Sequence, residues 1–118
     1  MGRVACGAVC ESDDLRLVAG YDRTHDGEAL RDVIGLRNAE GTVHTELAAF
    51  FAAKPDVVVD FTTYPATRDV SMGAIERGIS PVIGATGWTD QDVLALRMLA
   101  RDAGVGAMLI PNFALGAV

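Results

Sequence analysis

Val57-Val58-Val59-Asp60-Phe61-Thr62 is a β-branched apolar run that stops abruptly in a carboxylate and a hydroxyl. The same shape returns in Val82-Ile83-Gly84-Ala85-Thr86-Gly87, and Pro111-Asn112-Phe113 closes a third apolar run. Runs of this kind read as buried parallel strands that end in small or polar residues where they meet a ligand. In open parallel sheets ligands bind beyond the carboxyl ends of the strands. The function is therefore expected at a row of strand ends.

Outward from that row, strands alternate with helices. A small-residue helix over 2–12 is followed by a strand from Leu15 to Tyr21, which ends at Asp22-Arg23. From Thr24 to Asn38 the pattern is polar and broken by Gly27 and Gly35, which predicts a loop with a helical turn. A short strand around Val43 leads to a helix from Glu46 to Ala53 with Thr45 as a candidate cap. The Asp56–Phe61 strand is followed by a helix that tolerates Pro65 in its first turn and stops at Gly78. After the Pro81–Gly84 strand, Thr89-Asp90-Gln91-Asp92 opens a helix with a cap and carboxylates suited to the helix dipole. Val93, Leu96, Leu99 and Ala103 form its predicted apolar stripe, and Val105–Ile110 is the last strand. Gly or Pro punctuates nearly every switch, so the fold class is α/β with βαβ crossovers and a doubly wound parallel sheet.

The bulk composition agrees. The 118 residues are 50% hydrophobic and 22% charged, suited to one globular domain with a real core. A net charge of −6 argues against nucleic acid and anionic membranes as partners, and the apolar runs are too short for a membrane span. Cys6 and Cys10 share a helix face at a spacing that suits neither a disulfide nor a usual zinc pair. His25 and His44 stand apart from them and from each other, so no metal site is expected. The first residues lack a secretory-leader pattern, which points to the reducing cytoplasm.

A dinucleotide-binding unit begins with a strand and a Gly-rich turn that seats a pyrophosphate on the first helix. This sequence opens inside that helix. Met1-Gly2-Arg3 reads as the end of such a turn, because Asp22 follows at about the twenty-residue interval of a ribose-binding carboxylate. Read alone, Asp22 is only a polar residue closing a strand. The absent strand would lie mid-sheet, between the Leu15 and Asp56 strands, so its loss predicts two unpaired edges and a chain prone to association.

The segments Val57–Pro65, Val82–Thr89 and Ile110–Gly116, in that order, resemble the signature segments of the N-terminal domain of 4-hydroxy-tetrahydrodipicolinate reductases, also called dihydrodipicolinate reductases. The resemblance covers essentially the whole chain. It implies a Rossmann-like fold lacking its first strand and most of the Gly-rich turn. It implies one NAD(P)-binding domain over 1–118, incomplete at its N-terminus, with the C-terminal substrate domain absent. The family reduces a cyclic imine-type intermediate of the diaminopimelate route to lysine with NADH or NADPH, and the resemblance implies a homo-oligomer, a tetramer, when full length.

Residue by residue, the resemblance makes Met1 the end of the glycine turn. Asp22 takes the place of the acidic residue that holds the adenosine ribose, and Arg23 that of a neighbour able to contact a 2′-phosphate. Gly84, Ala85 and Thr86 match the Gly-Thr-Thr segment beside the nicotinamide, with Ala85 contributing backbone only. Ile110, Pro111, Asn112 and Phe113 match the loop around the carboxamide. Thr62, with Thr63, lies within reach of the cofactor's ribose, and Asp60 is the better candidate for a structural acceptor of backbone amides than for a chemical role. No residue of this chain supplies the proton donor, so no catalytic residue is assigned and the chain alone is expected to be inactive. Two other readings stay open: a related amino-acid dehydrogenase of the same architecture, and a dinucleotide-binding module, or remnant, without chemistry.

Overall fold

A computed structural model describes residues 2–37 and 39–110, with side chains from residue 5 onward. The chain divides into two compact units, Met1–Pro55 and Asp56–Val118.

In the first unit α1 (Gly2–Glu11), β1 (Ala19–Tyr21), α2 (Leu30–Ile34), β2 (Thr42–His44) and α3 (Leu47–Ala52) follow in order. β1 and β2 are parallel, with Ala19 opposite Thr42 and Tyr21 opposite His44. The predicted Leu15–Tyr21 strand is cut to its last three residues because its partner β2 is only three residues long. The segment expected to be a polar loop is partly ordered against the other edge of β2: Gly27 N–H donates to the Val43 carbonyl and Val43 N–H to that of Glu28, both at 2.9 Å. Gly41 has φ +93°, and the Val18 carbonyl occupies the place a Cβ would take, so only glycine serves there. Leu30, Ala39 and Val43 are the buried centre, with Leu17, Val33, Ile34 and Leu36 packed on it. Thr45 does not cap α3. Glu46 occupies the N-cap without a side-chain bond, while Thr45 N–H donates to Asp26 Oδ1 at 2.9 Å. On α1 burial, and then the neighbouring Cys10, push the half-buried Cys6 thiol up from its ordinary pKa.

In the second unit β3 (Val57–Asp60), α4 (Ala66–Glu76), β4 (Ser80–Ile83), α5 (Asp90–Ala103) and β5 (Met108–Leu109) alternate. The three strands form a parallel sheet in the order β3-β4-β5, with Asp60 opposite Ile83 and Ile83 opposite Leu109. Thr67, Val70, Ser71, Ala74 and Ile75 are buried along α4, one stripe at the helical spacing. Ile75, Ile83, Ala85, Leu96 and Ala100 form the buried cluster between α4, α5 and the sheet. On α5 it is Ala100 rather than the expected Ala103 that joins Leu96, since Ala103 sits exposed in the last turn before Gly104 ends the helix in a left-handed conformation.

β3 is not buried on both faces as its unbroken apolar run suggested. Val58 and Asp60 turn inward, whereas Val57 and Val59 are 51% and 44% exposed, and Met108 on β5 is exposed as well. Both helices of this unit use the same side of the ladder: Val58, Asp60, Pro81 and Ile83 are the buried positions of β3 and β4, and α4 packs on both strands and on α5. Among the described residues β1 pairs only with β2 and β3 only with β4, so each has one unpaired edge.

Candidate functional site

The carboxyl ends of β3 and β4 carry the polar residues singled out by the sequence, and one buried carboxylate organises them. Asp60 is the last residue of β3 and is 2% exposed. Burying such a group is costly unless its lone pairs are used. Here they are used fully. Oδ1 accepts from the Thr62 N–H at 2.8 Å and the Thr62 hydroxyl at 2.6 Å. Oδ2 accepts from the hydroxyls of Thr67 at 2.8 Å and Ser71 at 3.2 Å, both wholly buried on the inward stripe of α4. The expected structural role of Asp60 is present, although only one of its four donors is a backbone amide and three are hydroxyls.

The network ties two loops together. From the β4–α5 loop, the Trp88 indole N–H donates to Thr67 Oγ1 at 3.3 Å. Gly87, with φ +98°, lies so close to Tyr64 of the β3–α4 loop that a Cβ would sit 2.8 Å from the tyrosine Cβ. Tyr64 precedes Pro65 through a cis peptide bond. Arg68 Nε is 3.1 Å from Asp92 Oδ1. Asp92 also completes a capping box: its Oδ2 accepts from Thr89 N–H at 3.2 Å while Thr89 Oγ1 accepts from Asp92 N–H at 3.1 Å. Partial desolvation pushes the Asp92 carboxyl up. The Thr89 hydrogen bonds, the Tyr64 hydroxyl and the Arg68 charge outweigh it, and the pKa ends below the usual carboxylate range. In return the Asp92 carboxylate holds the Tyr64 phenolic proton and raises that pKa.

Thr62 is half-buried at the mouth of this arrangement and Thr63 is exposed. Gly84 is half-buried, Ala85 is buried in the core cluster and Thr86 is exposed. The Ala85 side chain is thus taken up by the core, and only its backbone is left at the strand end. The Gly84 N–H is spent on the Asp60 carbonyl at 2.8 Å and the Ile110 N–H on the Ile83 carbonyl at 2.9 Å. Those two positions extend the ladder instead of offering free amides. Met1, Pro111, Asn112 and Phe113 lie outside the described residues.

Asp22 and Arg23 belong to the first unit. Asp22 follows β1 directly, its N–H bonded to the His44 carbonyl at 3.1 Å, and Arg23 N–H donates to Asp22 Oδ1 at 2.7 Å. Both side chains are exposed. Also in this unit, a shallow hollow beside Cys10, lined by Leu15, Arg16, Leu17 and Glu40, holds none of the expected residues. Among the described residues no group of three or more His, Cys, Asp or Glu is placed to hold a metal ion.

The sequence family described as dihydrodipicolinate reductase, N-terminus, matches residues 1–113. The chain belongs to the dihydrodipicolinate reductase N-terminal family. It is 40% identical over 119 aligned positions to the 4-hydroxy-tetrahydrodipicolinate reductase of Geobacillus kaustophilus and 34% identical to that of Bacillus subtilis. Each alignment covers all of this chain, which spans only 45% and 44% of the respective relatives. Among solved structures, the dipicolinate-bound dihydrodipicolinate reductase of Paenisporosarcina sp. TG-14 superposes with a TM-score of 0.80 at 31% identity, over 98% of this chain and 44% of that one. The mixed α/β architecture with parallel strands is thus that of a dihydrodipicolinate reductase N-terminal domain.

Buried hydroxyls on α4 are the part of the site that sequence reading missed. A signal was present: Thr67 and Ser71 fall on the apolar stripe of that helix, and buried hydroxyls need an acceptor. Asp60, at an inward position of the preceding strand, is the buried acceptor that takes both, whereas Asp69 between them is exposed.

Proposed function

We propose that this chain is the cofactor-binding part of an NAD(P)H-dependent 4-hydroxy-tetrahydrodipicolinate reductase of the diaminopimelate route to lysine. The observation that supports this best is the pair of cross-braced loops at the β3 and β4 ends, built on buried Asp60, in a chain that matches the family over residues 1–113. The donor set fits a reduced pyridine nucleotide. Asp22 offers an exposed carboxylate suited to two vicinal ribose hydroxyls, with one oxygen already steadied by Arg23 N–H. The exposed Arg23 guanidinium beside it suits a 2′-phosphate, so one pair of residues accommodates NADH or NADPH.

When bound, the reduced nicotinamide supplies the hydride for a cyclic imine-type substrate. The residues of this chain bind and orient. Thr62, Gly84 and Thr86 present one hydroxyl oxygen, backbone carbonyls and a second hydroxyl at the strand ends, and the Asp60 network keeps the first of these in place before any ligand arrives. That preorganisation is how a binding site lowers the cost of positioning. Met1, Ile110, Pro111, Asn112 and Phe113 complete the proposed cofactor contacts. In this reading the acid that protonates the product nitrogen and the small-molecule substrate site belong to a further domain, and full-length chains assemble as a homo-oligomer. The proposed location is the cytoplasm. No helix of the described residues is long and apolar enough to cross a membrane.

Calorimetric titration of the chain with NADH and NADPH tests the reading. Saturable binding is expected, and Asp22→Ala should weaken NADH about tenfold, as the loss of a charge-assisted hydrogen-bond acceptor does. A chain that takes up neither nucleotide would rule the proposal out. Unchanged affinities in Asp22→Ala would remove Asp22 from the site.

A further inference from the structure

The protons around Asp60 have a fixed direction. The Trp88 indole N–H can only donate, and it donates to Thr67 Oγ1. Thr67 has one proton, which goes on to Asp60 Oδ2, where the Ser71 proton also ends. On the other oxygen, Asp60 receives both the N–H and the hydroxyl proton of Thr62. All four partners donate and the carboxylate only accepts.

Thr62 is the one hydroxyl of this set that is not fully buried among α4 side chains. Its single proton is committed to Asp60 at 2.6 Å, so it can offer a ligand only oxygen lone pairs. We propose that Asp60 makes Thr62 an acceptor-only contact, which selects a hydrogen-bond donor on the ligand and turns away phosphate or carboxylate oxygens. This rests on the nucleotide reading above. In a reduced nicotinamide riboside the donors are the ribose hydroxyls and the carboxamide NH2. A phosphate oxygen at this position would face both the Thr62 lone pairs and the Asp60 charge behind them.

The test is a cycle between protein and ligand, read by calorimetry on the whole chain. The ligands are NADH, its analogues with fluorine in place of the 2′- or the 3′-hydroxyl of the nicotinamide ribose, and reduced 3-acetylpyridine adenine dinucleotide. Each analogue keeps an acceptor and removes one donor. One of them should bind wild type about tenfold more weakly than NADH, and which one does so separates a ribose source from an amide source. Thr62→Val should weaken NADH by about the same factor and leave that analogue unaffected, while Thr62→Ser, which keeps the hydroxyl, should match wild type. Thr62→Ala serves in place of the valine variant if that one does not fold, since both keep the backbone N–H bond to Asp60. The inference is overturned if every analogue binds wild type as NADH does, or if the Thr62 variants weaken all ligands equally. If NADH binds and Asp22→Ala weakens it while the Thr62 cycle shows no coupling, the inference fails and the nucleotide reading stands. If NADH does not bind at all, both fall.

Discussion

Asp60 is a structural residue on which the ligand selection proposed for Thr62 also depends. Replacing it with alanine leaves two wholly buried hydroxyls without their acceptor and loosens the Trp88 indole contact through Thr67. Each orphaned buried donor costs about 1–3 kcal/mol, so with two of them Asp60→Ala should lose roughly 2–6 kcal/mol of stability. Asp60→Asn keeps an acceptor at one oxygen and should lose less, about 1–3 kcal/mol. Denaturant unfolding followed by Trp88 emission checks both, and a loss below about 1 kcal/mol in the alanine variant would mean that water replaces the carboxylate. The sequence alone favours Asp60 as an acceptor of backbone amides over a chemical role, and in the fold one amide and three hydroxyls donate to it. Its hydroxyl partners were missed although Thr67 and Ser71 share the apolar stripe of α4, because the pairing of that stripe with the end of β3 is a tertiary contact. The exposed pair Asp22-Arg23 sits directly after β1, at the strand end where the sequence puts it.

At the scale of elements, the two strand-end loops depend on contacts that spacing does not reveal. Gly87 needs its left-handed φ and the absence of a Cβ against Tyr64. Gly87→Ala should therefore destabilise the chain by about 1–3 kcal/mol and shift the β4–α5 loop, seen as a changed Trp88 emission maximum. Helix α5 has a pH-dependent start. The Asp92 pKa is lowered in the fold, so the stability it contributes is present above the unfolded aspartate value of about 3.9 and is lost as pH falls through the lower folded value. Wild type should melt above Asp92→Asn at neutral pH, and the gap should narrow as pH falls below about 4. A gap that persists in acid would mean that the charge of Asp92 contributes nothing. The cap at Thr89 was legible because cap chemistry is local, and the structure completes it as a capping box with Asp92. Thr45 failed as a cap for the complementary reason: its backbone is engaged by Asp26, nineteen residues away.

For the whole molecule, the order of strands and helices followed from periodicity and Gly/Pro punctuation, and unpaired edges on the Leu15 and Asp56 strands were expected, but the open face of β3 was not. Strand pairing is a non-local choice, and a run such as Val57-Val58-Val59 has the same sequence whether its outer face is covered or open. Here that face is open, and β3 also carries an unpaired backbone edge among the described residues. An apolar β-branched edge strand is a template for pairing with another chain. The chain should therefore associate as its concentration rises, with sedimentation showing growth beyond the monomer. Val59→Lys places a charge on the exposed face at that edge, where a single surface change alters stability by only about 0.5 kcal/mol. It should keep the chain monomeric at concentrations where wild type associates, without lowering the melting temperature by more than a few degrees. If wild type sediments as a clean monomer throughout and melts cooperatively, the open edge of β3 is protected by something other than pairing and the argument from exposure fails.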